Sequence, residues 1–244
     1  VSRVGESAGK MYGFVYDGTY KEEDFNITVN ENGKKTYELK PGVPKFKDGC
    51  QPGDPKYKNI DGSEDNLITD NDRTVIGNGH PLHTGGFTNN FVYKNWDLNI
   101  FLQWSYGNDV FNVNRLVMEN PGAKKQLNQF ASYKNRWSES NPTSNIPRVR
   151  AVGADEYSSL YVEDGSFLKL KTISLGYNFD TKTLKRIGLS AARVFVSAEN
   201  IATITGYSGS DPEVSTRHSV LTPGFDWSAY PRAFNASLGV NVTF

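Results

Sequence analysis

Residues 61–72, Asp-Gly-Ser-Glu-Asp-Asn-Leu-Ile-Thr-Asp-Asn-Asp, set oxygen-bearing groups at the spacing of a twelve-residue calcium loop. Asp61, Ser63 and Asp65 fall at positions 1, 3 and 5, Leu67 offers a main-chain carbonyl at position 7, and Asp72 stands at position 12. Ca2+ is therefore the cofactor this pattern suggests. Two residues depart from it. Asn66 replaces the glycine of the sharp turn, although Asn tolerates the left-handed conformation better than most residues, and Asp72 is shorter than the usual bidentate Glu. The alternative is a solvated acidic loop held by its own turns. Histidine chemistry is poorer still: His80-x-x-His83 lies in a Pro/Gly-rich loop with no carboxylate in helical register, and His218 stands alone. No enzyme is expected and no catalytic residue is assigned. Cys50, the single cysteine, excludes an internal disulfide framework and a multi-Cys zinc site. It reads as a loop thiol, or as the partner of a cysteine elsewhere in a longer protein.

Composition narrows the elements that position these residues. Hydrophobic residues make up 37% of the 244 and charged residues 22%, and no run is long enough for a membrane-spanning helix, so any membrane signal must be carried by strands. Lys+Arg and Asp+Glu both total 27, so net charge points to neither nucleic acid nor an anionic surface as the main partner. Aromatic residues at 13%, with 23 Gly, suit a many-stranded sandwich or barrel. The opening VSRVGESAGK has no initiator Met and no basic stretch followed by an apolar core, and reads as an internal start.

Residues 234–244 alternate without a fault: Phe234, Ala236, Leu238, Val240, Val242 and Phe244 on one parity, polar or small residues on the other. A period of two gives a strand one apolar and one polar face. Residues 95–106 repeat the pattern, with Trp96, Leu98, Ile100, Leu102, Trp104 and Tyr106 on one side and only Phe101 breaking the other. Aromatics bracket this apolar row, as interfacial girdles bracket a hydrocarbon slab. Ten residues at ~3.3 Å, tilted ~40°, rise about 25 Å, the height of an outer-membrane barrel's apolar band. Tyr177 and Phe179 extend the girdle to a strand ending at 179. Leu168 and Leu170 lie on the opposite parity to Ile173 and Leu175, a phase change read as a bulge or as the strand leaving the membrane. With 86–94, 192–200 and a Tyr-rich 10–16, six strands are expected.

Connections alternate in length. Lys94–Asn95 and 180–188 are short, whereas 17–84, 107–165 and 205–231 are long, as in barrels with short periplasmic turns and long outer loops. Within 107–165, Pro121 and Gly122 open a predicted helix carrying Leu127, Phe130, Ala131 and Trp137 to Asn141-Pro142. Asp97, Arg193 and Glu199 sit on the polar strand face, where cross-strand pairing is favoured over lining a lumen.

The segments PGDPKYKNIDG (52–62), DNDRTVIG (70–77), GGFTNNFVYKNWDLNIFLQWSYGNDVFN (85–112), EDGSFLKLKTISLGYNF (163–179), SAENIATITGYSGSDPE (197–213) and SLGVNVTF (237–244), in this order, resemble the carboxy-terminal part of SusC/RagA-like TonB-dependent transporters. The resemblance implies an all-β chain: residues 1–244 as the carboxy-terminal segment, about six strands, of a large antiparallel transmembrane β-barrel with long extracellular loops. The plug domain and earlier strands would lie outside this chain. It further implies an outer-membrane location in a Gram-negative bacterium, a SusD-like lipoprotein, TonB acting through the missing plug, and glycan oligomers or peptides as cargo. Phe244 matches the terminal aromatic read by the insertion machinery of such barrels. Tyr207, Phe225, Trp227 and Tyr230, in the last long loop, are the candidates for substrate contact, since flat aromatic faces stack on sugars and pack on peptides, with packing of the loop as the favoured role for any one of them. The competing reading is a soluble extracellular β-rich glycan-binding domain.

Overall fold

The computed structural model describes residues 4–120, 128–214, 216, 219 and 221–244. In chain order its strands are β1 (Lys10–Gly13), β2 (Tyr16–Thr19), β3 (Phe25–Val29), β4 (Lys35–Leu39), β5 (Pro55–Tyr57), β6 (Thr74–Asn78), β7 (His83–Tyr93), β8 (Trp96–Tyr106), β9 (Asp109–Asn112), β10 (Val162–Asp164), β11 (Phe167–Asn178), β12 (Ala191–Thr205), β13 (Phe225–Asp226) and β14 (Asn235–Thr243). Two short helices, α1 (Val113–Met118) and α2 (Thr181–Lys185), interrupt them. The chain divides into two compact units: residues 1–79, 110–163 and 215–229 form one, and residues 80–109, 164–214 and 230–244 the other.

The first unit consists of small sheets stitched together by aromatic side chains. β1 pairs with β6, β2 with β5 and β3 with β4, all antiparallel, while β13 runs parallel to β9. Its clusters centre on Phe14, Tyr57 and Ile68, on Tyr20, Phe25 and Cys50, and on Phe111, Val113 and Tyr161. Three buried tyrosine hydroxyls find carbonyls: Tyr20 donates to Pro44 at 2.5 Å, Tyr57 to Gly153 at 2.8 Å and Tyr161 to Ala154 at 2.9 Å. A long loop with little regular structure is thereby given a core in which these three polar tips are satisfied. The expected strand at 10–16 is corrected here. Its residues fall in this unit, broken between β1 and β2, because Gly13 admits the Tyr157 carbonyl so closely that a Cβ would lie 2.3 Å from it.

The second unit is a five-stranded antiparallel sheet in the order β7-β8-β11-β12-β14. Lys94, at φ 53°, turns β7 into β8 in two residues. α2 turns β11 into β12, started by Asp180, whose side chain accepts from the Lys182 amide. The phase change in β11 is a bulge: register slips between Leu170 and Thr172 against both neighbouring strands. Opposite it, Asn200 takes φ 52° and β12 sets two residues, Asn200 and Ile201, against the single Lys171, which lets the strand run on to Thr205 rather than end near 200.

The helix expected from Pro121 is only partly testable. Residues 121–127, with Pro121, Gly122 and Leu127, lie outside the described residues, as does His218. Phe130 is extended, Ala131–Asn135 is a 3-10 turn and Trp137 lies beyond it. The α-helix falls earlier, at Val113, where the Asn112 side chain accepts from the Arg115 amide and caps it.

Candidate functional site

Cross-strand registers align the alternating residues into rows on one face of the sheet. Tyr93, Trp96, Tyr177, Val194 and Val240 form the row nearest the short turns; Phe91, Leu98, Leu175, Val196 and Leu238 form the next; Asn89, Ile100, Ile173, Ala198 and Ala236 the middle one. Beyond the bulge, Phe87, Leu102, Leu170 and Ala202 continue the face, followed by Gly85, Trp104, Leu168 and Ile204. Phe87, Phe91, Leu175, Val196, Leu238 and Val240 are exposed within the whole chain. A contiguous apolar face of this extent is far beyond what a water-soluble surface leaves bare.

Aromatics close this face at both ends. Trp96 packs on Tyr177 at 4.9 Å between ring centroids, and Tyr177 on Phe179 at 5.1 Å. Tyr93, absent from the expected girdle, completes that end. At the other end Tyr106 stacks on His83 at 5.1 Å, and Trp104 donates Nε1–H to His83 Nδ1 at 3.2 Å. His83 thus joins the aromatic row at this end of the sheet. Trp104 lies flat over Gly85, where a Cβ would come within 2.2 Å of the ring. Phe244 follows β14 at the short-turn end and is 90% exposed.

The opposite face is polar and bridged by charge. Arg193 on β12 reaches across β11 to Asp97 on β8, its Nη2 at 2.5 Å and Nε at 3.2 Å from the two carboxylate oxygens, while Asn178 donates to Asp97 at 3.0 Å. Gly176 makes this possible, since a Cβ there would meet the guanidinium at 2.4 Å. Glu199 makes no ion pair among the described residues. Two rings lie on this face over glycines of the neighbouring strands: Phe101 covers Gly86 and Phe195 covers Gly239.

A second charged cluster was not foreseen. Lys169, only 2% exposed, donates to Asp211 at 3.3 Å and Glu213 at 2.9 Å; Lys171 at 3.4 Å and Arg232 at 3.0 Å also reach Glu213. Lys169 and Lys171, two residues apart on β11, thus reach one carboxylate, and the cluster fastens Asp211, Glu213 and Arg232 to the strand. Burial pushes the Asp211 carboxyl up, but the amides of Glu213 and Arg232 and the Lys169 ammonium outweigh it and hold the group low. Glu213 is likewise raised by burial and more strongly lowered by Lys169, then Lys171 and Arg232.

The loop aromatics divide. Tyr207 is 5% exposed and lies against Gly209, and Phe225 stacks on Phe111 at 5.9 Å with rings 8° apart. Both pack the fold, which corrects their expected exposure: small or aromatic neighbours draw each ring inward. Trp227 and Tyr230 are exposed, Tyr230 by 90%.

In the acidic loop, Asp61 Oδ1 accepts from the Ser63 amide at 2.8 Å and Asp65 Oδ1 from the Leu67 amide at 3.0 Å, each closing a turn on itself. Fully buried Asp72 accepts from the amides of Ile60 at 2.7 Å, Asp61 at 3.2 Å and Thr69 at 2.8 Å. Burial pushes the Asp72 carboxyl up, but these amides prevail and hold it below the ordinary range. Asn66 does take the left-handed turn, at φ 53°. Among the described residues no three His, Cys, Asp or Glu side chains converge as a metal group.

No family model matches the chain. Among curated proteins it is 33% identical to TonB-dependent receptor P3 of Formosa agariphila over 249 residues, which cover 100% of this chain and 23% of the relative. TonB-dependent receptor P26 of the same organism is 31% identical over 99% of the chain, and TonB-dependent receptor SusC of Bacteroides thetaiotaomicron is 30% identical over 65% of it. The chain belongs to the SusC/RagA-like TonB-dependent receptors. The solved structure of the RagAB peptide transporter shares the fold, with a TM-score of 0.69 at 22% identity over 96% of this chain and 23% of that one. The RagAB peptide importer in its 'open-open' state gives 0.65 at 21% identity. The chain spans about a quarter of the curated receptors it matches, so its sheet is a part of a large receptor barrel in the outer membrane of a Gram-negative bacterium. In barrels of this kind an apolar sheet face meets lipid and a polar one the lumen.

Proposed function

We propose that the chain supplies wall strands and outer loops to an active importer of oligomeric nutrients, glycan oligomers or peptides. A SusD-like surface lipoprotein closes its outer mouth, and the TonB complex pulls on a plug carried by the rest of the receptor. The exposed apolar face closed by two aromatic belts carries this reading: a soluble glycan-binding sandwich would bury that face against a second sheet. The names of the relatives, TonB-dependent receptors and a peptide transporter, support it as import. Exposed Trp227 and Tyr230 offer flat faces to either cargo. Cells lacking the native receptor and complemented with the full-length one should take up labelled peptides or oligosaccharides only while TonB is present. Uptake of neither class, or uptake indifferent to TonB, would refute the proposal.

A further inference from the structure

The cations of the barrel-sheet unit sort by position. Of its Lys and Arg residues, Lys169, Lys171, Arg193 and Arg232 are each ion-paired. Lys94, Lys182, Lys185 and Arg186 are exposed and make no ion pair among the described residues, and all four lie at the short-turn end of the sheet. Lys94 stands between Tyr93 and Trp96, its ammonium 5.3 Å from the Tyr93 ring. The other three lie on and just after α2, which begins two residues beyond Phe179 and is pinned by buried Leu184. The one acid in that connection, Asp180, is occupied in capping the helix. The positive charge therefore begins within a few residues of the aromatic row Tyr93–Trp96–Tyr177, which marks headgroup depth on the lipid face.

We propose that this rim binds anionic phospholipid headgroups, with Lys182, Lys185, Arg186 and Lys94 as phosphate contacts. Continuity with the lipid-facing surface selects a lipid over a soluble partner: long cationic side chains beside an aromatic belt carry their charge to the headgroups while their stems lie along apolar surface. A bilayer leaflet presents phosphates at that depth all round the barrel. The inference rests on the membrane placement of the receptor.

The test uses the full-length receptor in neutral detergent, titrated with phosphatidylglycerol or phosphatidylcholine, with bound lipids counted by native mass spectrometry. Wild type should retain phosphatidylglycerol over phosphatidylcholine. The preference should fall by up to about five-fold per neutralised cation in the series Lys94→Gln, Lys182→Gln, Lys185→Gln, Arg186→Gln, and shrink in high salt. Lys34→Gln, in the β3–β4 hairpin, should leave it intact. If the quadruple variant loses heat-modifiable gel mobility, the Lys185→Gln/Arg186→Gln pair, both outside the strands, gives the same readout. Equal retention of the two lipids by wild type, or a preference that survives neutralisation, overturns the proposal. Wild-type receptor without heat-modifiable mobility would instead overturn the barrel itself.

Discussion

Asp72 and Lys169 each hold a stretch of irregular backbone by a buried charge. Hydrogen bonds to a charged group contribute about 1.5–3 kcal/mol each, so Asp72→Ala, which strands three amides, should expose residues 58–75 to rapid hydrogen exchange. The same exchange measurement tests the calcium reading of the loop: calcium-dependent protection of 58–75 would support it, and exchange unchanged by calcium would end it. Removing one partner of a buried pair costs about 3–5 kcal/mol, and Lys169→Met should therefore loosen residues 206–214 and 230–234. The pH dependence has a definite sign. Asp211 and Glu213 are held below their ordinary values, so their stabilisation is complete above the unfolded carboxylate range and is lost as pH falls through the depressed folded values. Exchange in 206–214 should be slow at neutral pH and rise only at strongly acid pH. Loosening on going from neutral to alkaline pH would contradict the assignment. None of this cluster was legible in the sequence, because its acids lie more than forty residues from the lysines and only the fold brings them together.

At the scale of elements, legibility followed the length of unbroken alternation. β8 and β14 keep one parity from end to end, and their faces were readable residue by residue. β12 was cut short because Asn200 and Ile201 shift its phase, and a shift of phase looks like a strand end when no partner is visible. The 10–16 run has strand composition, but composition names no partner, and β1 pairs with β6 outside the barrel sheet. Which of the four loop aromatics pack was equally hidden, since an aromatic in a loop reads the same whether it packs, as Tyr207 does, or projects, as Tyr230 does. The parity of β8 makes a sharp prediction. Ile100→Arg puts a cation in the middle row of the lipid face at a cost of about 2–4 kcal/mol and should cut the surface yield of folded receptor. Asn99→Arg, on the polar face where Asn99 donates to Asn90 at 2.6 Å, should be tolerated. Equal yields would overturn the parity.

For the whole molecule, the order of connections is as informative as the strands. Short turns at one end and long segments at the other orient the sheet across a membrane, and the register agrees, since Tyr93, Trp96 and Tyr177 align at the short-turn end. An edge in lipid leaves main-chain groups unpaired, so β7 and β14 require neighbouring strands from the rest of the receptor. The central claim is that one face of this sheet meets lipid and the other a lumen. Single cysteines at positions 97–103 of the full-length receptor, labelled with a fluorophore and challenged with a quencher confined to the bilayer core, test it most directly. Labels at 98, 100 and 102 should be strongly quenched, and those at 97, 99, 101 and 103 weakly. Uniform quenching, or the opposite alternation, would contradict the account.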